Sequence, residues 1–255
     1  MLVIAVTNEK GGVGKTTTAV SLAAVLAERG QRVLVIDLDP QAAASKWLGV
    51  TDAGPELAQV FIAERPLEAA IRSTEVEGLD LAASSRDLAD AERRLGSEPG
   101  GDAILRTALE DLPQRWDFIL LDCPPTLGHL SVSALMAAAW VVIPVEASIM
   151  AYQAVPDILE TIGRLRRRLN PALKVLGVLA VRTDSTRHTR DVVEALRQQF
   201  GDQVFGTTIR NTVRMRDAAR YRQPISLYDP TGGATGDYRA LADEVFARLP
   251  QLVRS

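Results

Sequence analysis

Residues Lys10-Gly11-Gly12-Val13-Gly14-Lys15-Thr16-Thr17 bring three glycines, two lysines and two hydroxyls together in one short run. Gly11, Gly12 and Gly14 let a backbone pass close to an anion without a Cβ in the way. The run follows an apolar stretch and opens a helical pattern. In that context loop amides and a helix N-terminus aim donors and partial positive charge at phosphate oxygens. Lys15 is then expected at the β- and γ-phosphates, Thr16 on Mg²⁺ and Thr17 beside the α-phosphate. A glycine turn with incidental lysines is the plainer reading, and it leaves the position and context unexplained.

Two carboxylate motifs follow. Asp37-Leu38-Asp39-Pro40-Gln41 closes a second apolar run, so its acids fall at the carboxyl edge of a sheet, where open α/β folds bind ligands. One can orient or deprotonate a water, and the other can contact the water shell of a metal. Alternatively, the pair caps the next helix. Phe118-Ile-Leu-Leu-Asp122 is an apolar run ending in a carboxylate, the pattern of a group that holds Mg²⁺ through water. Cys123-Pro124-Pro125 is expected to start a mobile loop that senses the γ-phosphate. Cys123 has only His129 near it in sequence, so it reads as a small space-filling residue and not a nucleophile.

These residues need a scaffold that alternates strands and helices. Apolar runs at Leu2–Thr7, Val33–Ile36, Leu79–Ala82, Phe118–Leu121, Trp140–Val145 and Val175–Val181, with a shorter one at Val204–Ile209, alternate with helical patterns. The helical patterns span Thr16–Arg29, Ser85–Leu95, Ala103–Leu109, Ala151–Leu169, Thr189–Phe200 and Gly236–Leu249. Near-continuous apolar strands are buried on both faces. The expected fold is a doubly wound, mostly parallel α/β sheet with helices on both faces, in a single domain over residues 1–255. The stretch at 96–101 is expected as a surface loop.

The chain has 255 residues, 47% hydrophobic and 24% charged, an ordinary globular composition. It lacks an apolar run near the roughly 20 residues of a membrane span. The opening run Leu2 to Val6 reads as a strand and not a signal peptide. A single cysteine excludes an internal disulfide and fits a reducing, cytoplasmic location. Net charge is −3, but from Arg182 to Arg222 nine arginines face five acids, leaving this stretch at +4 and the remainder at −7. Arg210, Arg214, Arg216, Arg220 and Arg222 crowd its end with one acid, Asp217. Such a stretch is either a solvated helix face or a surface for a polyanion. The cluster Arg164, Arg166, Arg167, Arg168 reads instead as a helix C-terminus.

Taken together, the three motifs resemble the deviant Walker-type ATPases of the ParA/MinD family, and over essentially the whole chain the small ParA/Soj partition group. Asp37-Leu38-Asp39-Pro40-Gln41-Ala42, Asp122-Cys123-Pro124-Pro125-Thr126, Ile143-Pro144-Val145 and Leu227-Tyr228-Asp229-Pro230 all take that group's form. The resemblance implies ATP and Mg²⁺ as cofactors, slow ATP hydrolysis, and an ATP-bound homodimer. In it Lys10 crosses to the partner's phosphates, Asp39 activates water, Asp37 supports the metal shell and Asp122 is the Walker B carboxylate. It places Asn211 beside the adenine, although Ile209-Arg210-Asn211 lacks the family proline and Thr212 is inserted. It implies nonspecific double-stranded DNA binding through Arg214, with Arg216, Arg220 and Arg222 nearby, a ParB-type activator and a cytoplasmic, nucleoid-associated location. A MinD-like membrane attachment would call for an amphipathic C-terminal helix, and the segment Val245–Ser255 is short and broken by Pro250. A P-loop synthetase would leave the basic segment unexplained. An iron–sulfur reductase is excluded, because bridging a cluster between subunits needs two cysteines per chain.

Overall fold

The structure is a computed structural model describing residues 1–97 and 100–253. Its strands are β1 (Leu2–Val6), β2 (Val33–Asp37), β3 (Ile71–Ser73), β4 (Leu79–Ala82), β5 (Phe118–Asp122), β6 (Trp140–Glu146), β7 (Lys174–Thr183) and β8 (Ile209–Arg210). They form one sheet in the order β3-β4-β2-β5-β1-β6-β7-β8, parallel except for β3 against β4. The expected doubly wound fold is present. β1 lies between β5 and β6, so the chain leaves its central strand directly into the glycine loop. Sequence patterning does not reveal β3, a three-residue edge strand too short to show a period.

Alternate residues of the inner strands feed two cores. Val3, Ala5, Leu34, Ile36, Ile119 and Leu121 pack toward α3 (Glu56–Phe61), α4 (Leu88–Leu95), α5 (Ile104–Glu110), α6 (His129–Ala137), α7 (Ile149–Arg168) and α8 (Arg187–Phe200). Ile4, Val33, Val35, Leu120 and Val142 pack toward α1 (Lys15–Glu28), α2 (Ala43–Trp47), α9 (Arg214–Arg220), α10 (Ile225–Tyr228) and α11 (Gly233–Val253). This two-sided cover is why the strands read as unbroken apolar runs. Arg166, Arg167 and Arg168 close the last turn of α7, as their charge against the helix dipole requires.

The expected strand at Val204–Ile209 is reduced to Ile209–Arg210 and an isolated bridge between Val178 and Val204. The amides of Gly206 and Thr207 donate to the Glu244 carboxylate at 2.8 and 2.9 Å, which takes them out of any ladder. Pro250 does not end the last helix, which continues to Val253. Of the loop expected at 96–101, Glu98 and Pro99 lie outside the described residues. No described helix is long and apolar enough to cross a membrane.

Candidate nucleotide site

The glycine loop joins β1 to α1, and two of its glycines are required by backbone conformation. Gly12 and Gly14 hold φ of 75° and 82°, the left-handed region that side chains disfavour. Gly14 is the N-cap of α1 and offers no side chain, so the helix's first amides are left for another acceptor. Lys15 is buried, and its Nζ donates to the carbonyl of Lys10 at 3.0 Å, closing the loop on itself. Burial lowers the Lys15 pKa, while Asp122, Cys123 and Asp39 pull it back up. Lys10 behaves differently. Its side chain is 52% exposed and pairs with Glu146 at 3.7 Å, outside its own loop. Glu146 also meets Arg182 at 3.8 Å.

Asp37 and Asp122 end the neighbouring strands β2 and β5 in direct register, and both are fully buried. Asp37 is spoken for. Its Oδ2 accepts from the Ser45 amide at 2.8 Å and the Ser45 hydroxyl at 2.7 Å, and its Oδ1 accepts from the Asp39 amide at 3.2 Å. The alternative reading of Asp37 as a cap therefore describes its contacts, since Ser45 lies in α2. Burial raises its pKa to about 6 against the pull of those hydrogen bonds. Among the described residues Asp122 has no hydrogen-bond partner on either oxygen. Burial, and then the Asp37 charge, push its carboxyl well above the usual range, and the nearby Thr16 hydroxyl lowers it without closing a hydrogen bond of good geometry.

Two bare carboxylate oxygens beside Thr16 fit a divalent cation, because a buried anion this poor in donors needs a counter-charge. Among the described residues no group of three or more His, Cys, Asp or Glu could hold a metal. Magnesium takes one or two protein ligands and completes its shell with water and phosphate, so Thr16 and Asp122 would be enough to hold it. Asp39 is half-buried. One of its oxygens accepts from the Gln41 amide at 2.9 Å, which leaves the other able to accept from a water.

A cavity of about 660 Å³ opens beside Gly14 and Thr17. Asn211, Val181, Ile209 and Tyr238 line it, whereas Asp37, Asp39 and Asp122 do not. It therefore adjoins the end of the loop away from the carboxylates and has the size and mixed lining of a nucleoside pocket. Arg182 lines it too, with a left-handed φ of 57° where β7 and β8 slip register between Val181 and Thr183.

A family model described as an AAA domain matches residues 1–175. The chromosome-partitioning ATPase Soj of Thermus thermophilus is 41% identical, over 97% of this chain and 96% of that protein. The sporulation initiation inhibitor protein Soj of Bacillus subtilis is 39% identical, over 96% and 98%. The chain belongs to the ParA/Soj family. Among solved structures, a Mycobacterium smegmatis protein described as cobyrinic acid a,c-diamide synthase, with bound ATP analog and magnesium, superposes with a TM-score of 0.86. It shares 33% identity and covers 98% of this chain and 96% of that one.

Within this ParA/Soj framework the loop and three carboxylates gather at one sheet edge, as their order along the chain implied. Three positioning residues escape sequence reasoning. Asn8 donates to the Pro144 carbonyl at 2.8 Å and accepts from the Lys10 amide at 3.0 Å, tying the loop to β6. The Ser45 hydroxyl also accepts from the Ser84 amide at 2.9 Å, and the Ser84 hydroxyl donates to the Asp39 carbonyl at 2.7 Å. Asn8 offers a weak signal as a turn-forming residue between strand and loop. The two serines offer none, being 39 residues apart. Cys123 is buried and its thiol is pushed up to about 12 by burial and the Asp122 charge, which favours the neutral thiol.

The basic segment divides. Arg210 makes a bidentate pair with Asp237 at 2.7 and 2.8 Å. Arg214 pairs with Asp229 at 3.8 Å and lies over the Tyr228 ring. Arg216 lines the cavity. Arg220 and Arg222 are exposed and off its wall.

Proposed function

We propose that this chain is a magnesium-dependent ATPase that works as a dimerising switch, binds double-stranded DNA without sequence preference, and positions plasmid or chromosomal DNA in the cytoplasm with a ParB-type activator. The observation that carries the reading is the contrast between the two lysines. The Lys15 side chain is folded into its own loop, whereas the Lys10 side chain is half exposed and pairs with Glu146 outside that loop. A cation at the edge of a phosphate cradle, turned away from it, is available to a second subunit.

Loop amides and Lys15 would hold the phosphates, Thr16 and Asp122 would hold magnesium, and Asp39 would orient the attacking water. Magnesium, when bound, offsets charge on the β- and γ-phosphates. Ser45 fixes Asp37, and the Asp37 carboxylate in turn fixes the Asp39 amide. Lys10 of each subunit completes the other's site, and pairing two subunits doubles the arginine surface carrying Arg214, Arg220 and Arg222. Phosphate contacts of this kind are insensitive to sequence and sensitive to salt. Light scattering and DNA binding with ATP, ADP and no nucleotide, across a salt series, test the reading. Equal DNA affinity in all three states would refute a nucleotide-controlled switch.

The likeness to a protein described as a diamide synthase supports a second reading, a synthetase that activates a small carboxylate. ATP turnover stimulated by a carboxylic acid and an amide donor, and indifferent to DNA, would favour it. A MinD-like membrane role would show as ATP-dependent co-sedimentation with anionic liposomes.

A further inference from the structure

Along α9 and the residue pair before it, Thr212, Met215, Arg216 and Ala219 all line the cavity. Their spacing of three, four and seven residues marks one stripe of a helix. Arg220, one turn further along the same helix, does not line the cavity. The two neighbouring arginines have acidic partners, Asp237 for Arg210 and Asp229 for Arg214. The Arg216 side chain makes no ion pair or hydrogen bond among the described residues, so its guanidinium is uncommitted on the wall of a nucleoside-sized space. Opposite it the cavity reaches Gly14 and Thr17, where the loop begins its helix.

We propose that Arg216 is a nucleotide-binding residue, whose planar guanidinium packs on the purine nucleoside half of the nucleotide, and not a member of the DNA surface. The inference rests on reading this cavity as the nucleotide site. Arginine suits the place: it stays charged, stacks on aromatic faces, and can still donate to ribose or α-phosphate oxygens. The γ-phosphate is bound at the far end of the loop, so the contact does not distinguish ATP from ADP.

The test measures affinity for fluorescent ATP and ADP analogues without DNA, for the full chain and for Arg216→Ala, Arg216→Lys, Arg220→Ala and Lys15→Ala, with thermal melts to check folding. Arg216 is exposed where it lines the cavity, so Arg216→Ala should weaken both nucleotides about twofold to thirtyfold, the range from an exposed to a desolvated cation–π contact. Arg216→Lys, which keeps the charge and loses the plane, should recover only part. Arg220→Ala should bind both nucleotides normally. If Arg216→Ala binds both nucleotides like the parent, or loses ATP alone, the proposal is overturned. Should Arg216→Ala melt early, Arg216→Lys decides by the same criterion. Normal nucleotide binding by Lys15→Ala would instead undermine the site itself, so the two failures are distinguishable.

Discussion

Asp37 and Asp122 are register partners at the ends of β2 and β5, and they divide one job. Asp37 gives both oxygens to Ser45 and the Asp39 amide, so it is part of the scaffold. Asp122, beside it and as deeply buried, has both oxygens bare. Two chemically identical side chains, one strand apart, become a hydrogen-bonded brace and a bare carboxylate through the company each keeps.

The bare carboxylate costs stability until a cation arrives. The folded-state pKa of both acids is raised from 3.8, that of Asp37 to about 6. Their contribution is therefore fully present below pH 4 and is lost as pH rises through the folded values. The nucleotide-free protein should melt progressively earlier as pH rises from about 4 to about 6 on account of Asp37, and the raised carboxyl of Asp122 adds to the loss in the same direction. Asp122→Asn should melt later than the parent at pH 7.5 without magnesium, and should lose the stabilisation that magnesium with nucleotide gives the parent. Calorimetry with and without both ligands checks both outcomes.

Removing the brace is a different experiment. Ser45→Ala deprives Asp37 of its hydroxyl donor and leaves the Ser84 amide without its acceptor in a buried setting. A loss of about 1–3 kcal/mol in stability is expected. Turnover should fall more than nucleotide affinity, because Asp39 is displaced while the loop is not. Denaturant unfolding and single-turnover hydrolysis read the two effects separately.

Glu146 holds Lys10 inside its own subunit. An exposed pair of this kind is worth up to about 1 kcal/mol, so Glu146→Gln should let dimers form at ATP concentrations about twofold to fivefold lower. Lys10→Ala should abolish ATP-dependent dimerisation. Light scattering over an ATP titration distinguishes them. Unchanged dimerisation in Lys10→Ala would remove the basis for a shared site.

Arg220 and Arg222, like Arg214, are exposed and do not line the cavity, but unlike Arg214 they have no acidic partner among the described residues. Arg222 holds φ at 57°, a conformation disfavoured for any residue with a Cβ. Replacing both with alanine should weaken ATP-dependent DNA binding on every sequence alike. It should also flatten the plot of log affinity against log salt by about 0.9 for each DNA phosphate left without its arginine. Nucleotide affinity should stay unchanged.

The sequence by itself determined the inner strands of the sheet, the loop and the order of the carboxylates. These are local signals: apolar runs bounded by helical periods, a glycine pattern between strand and helix, and acids at strand ends. In a parallel sheet such acids converge on one edge without further instruction. It did not determine which carboxylate is bare, because that depends on Ser45 and Ser84, distant in sequence and joined only when α2 folds over the edge. It did not divide the arginines either. Composition pools Arg210, Arg214, Arg216, Arg220 and Arg222 into one basic cluster. Packing sends the first to Asp237, the second to Asp229, the third to the cavity and the last two outward. Charge is written along the chain, but its partners are set by which face each side chain takes and which element covers that face.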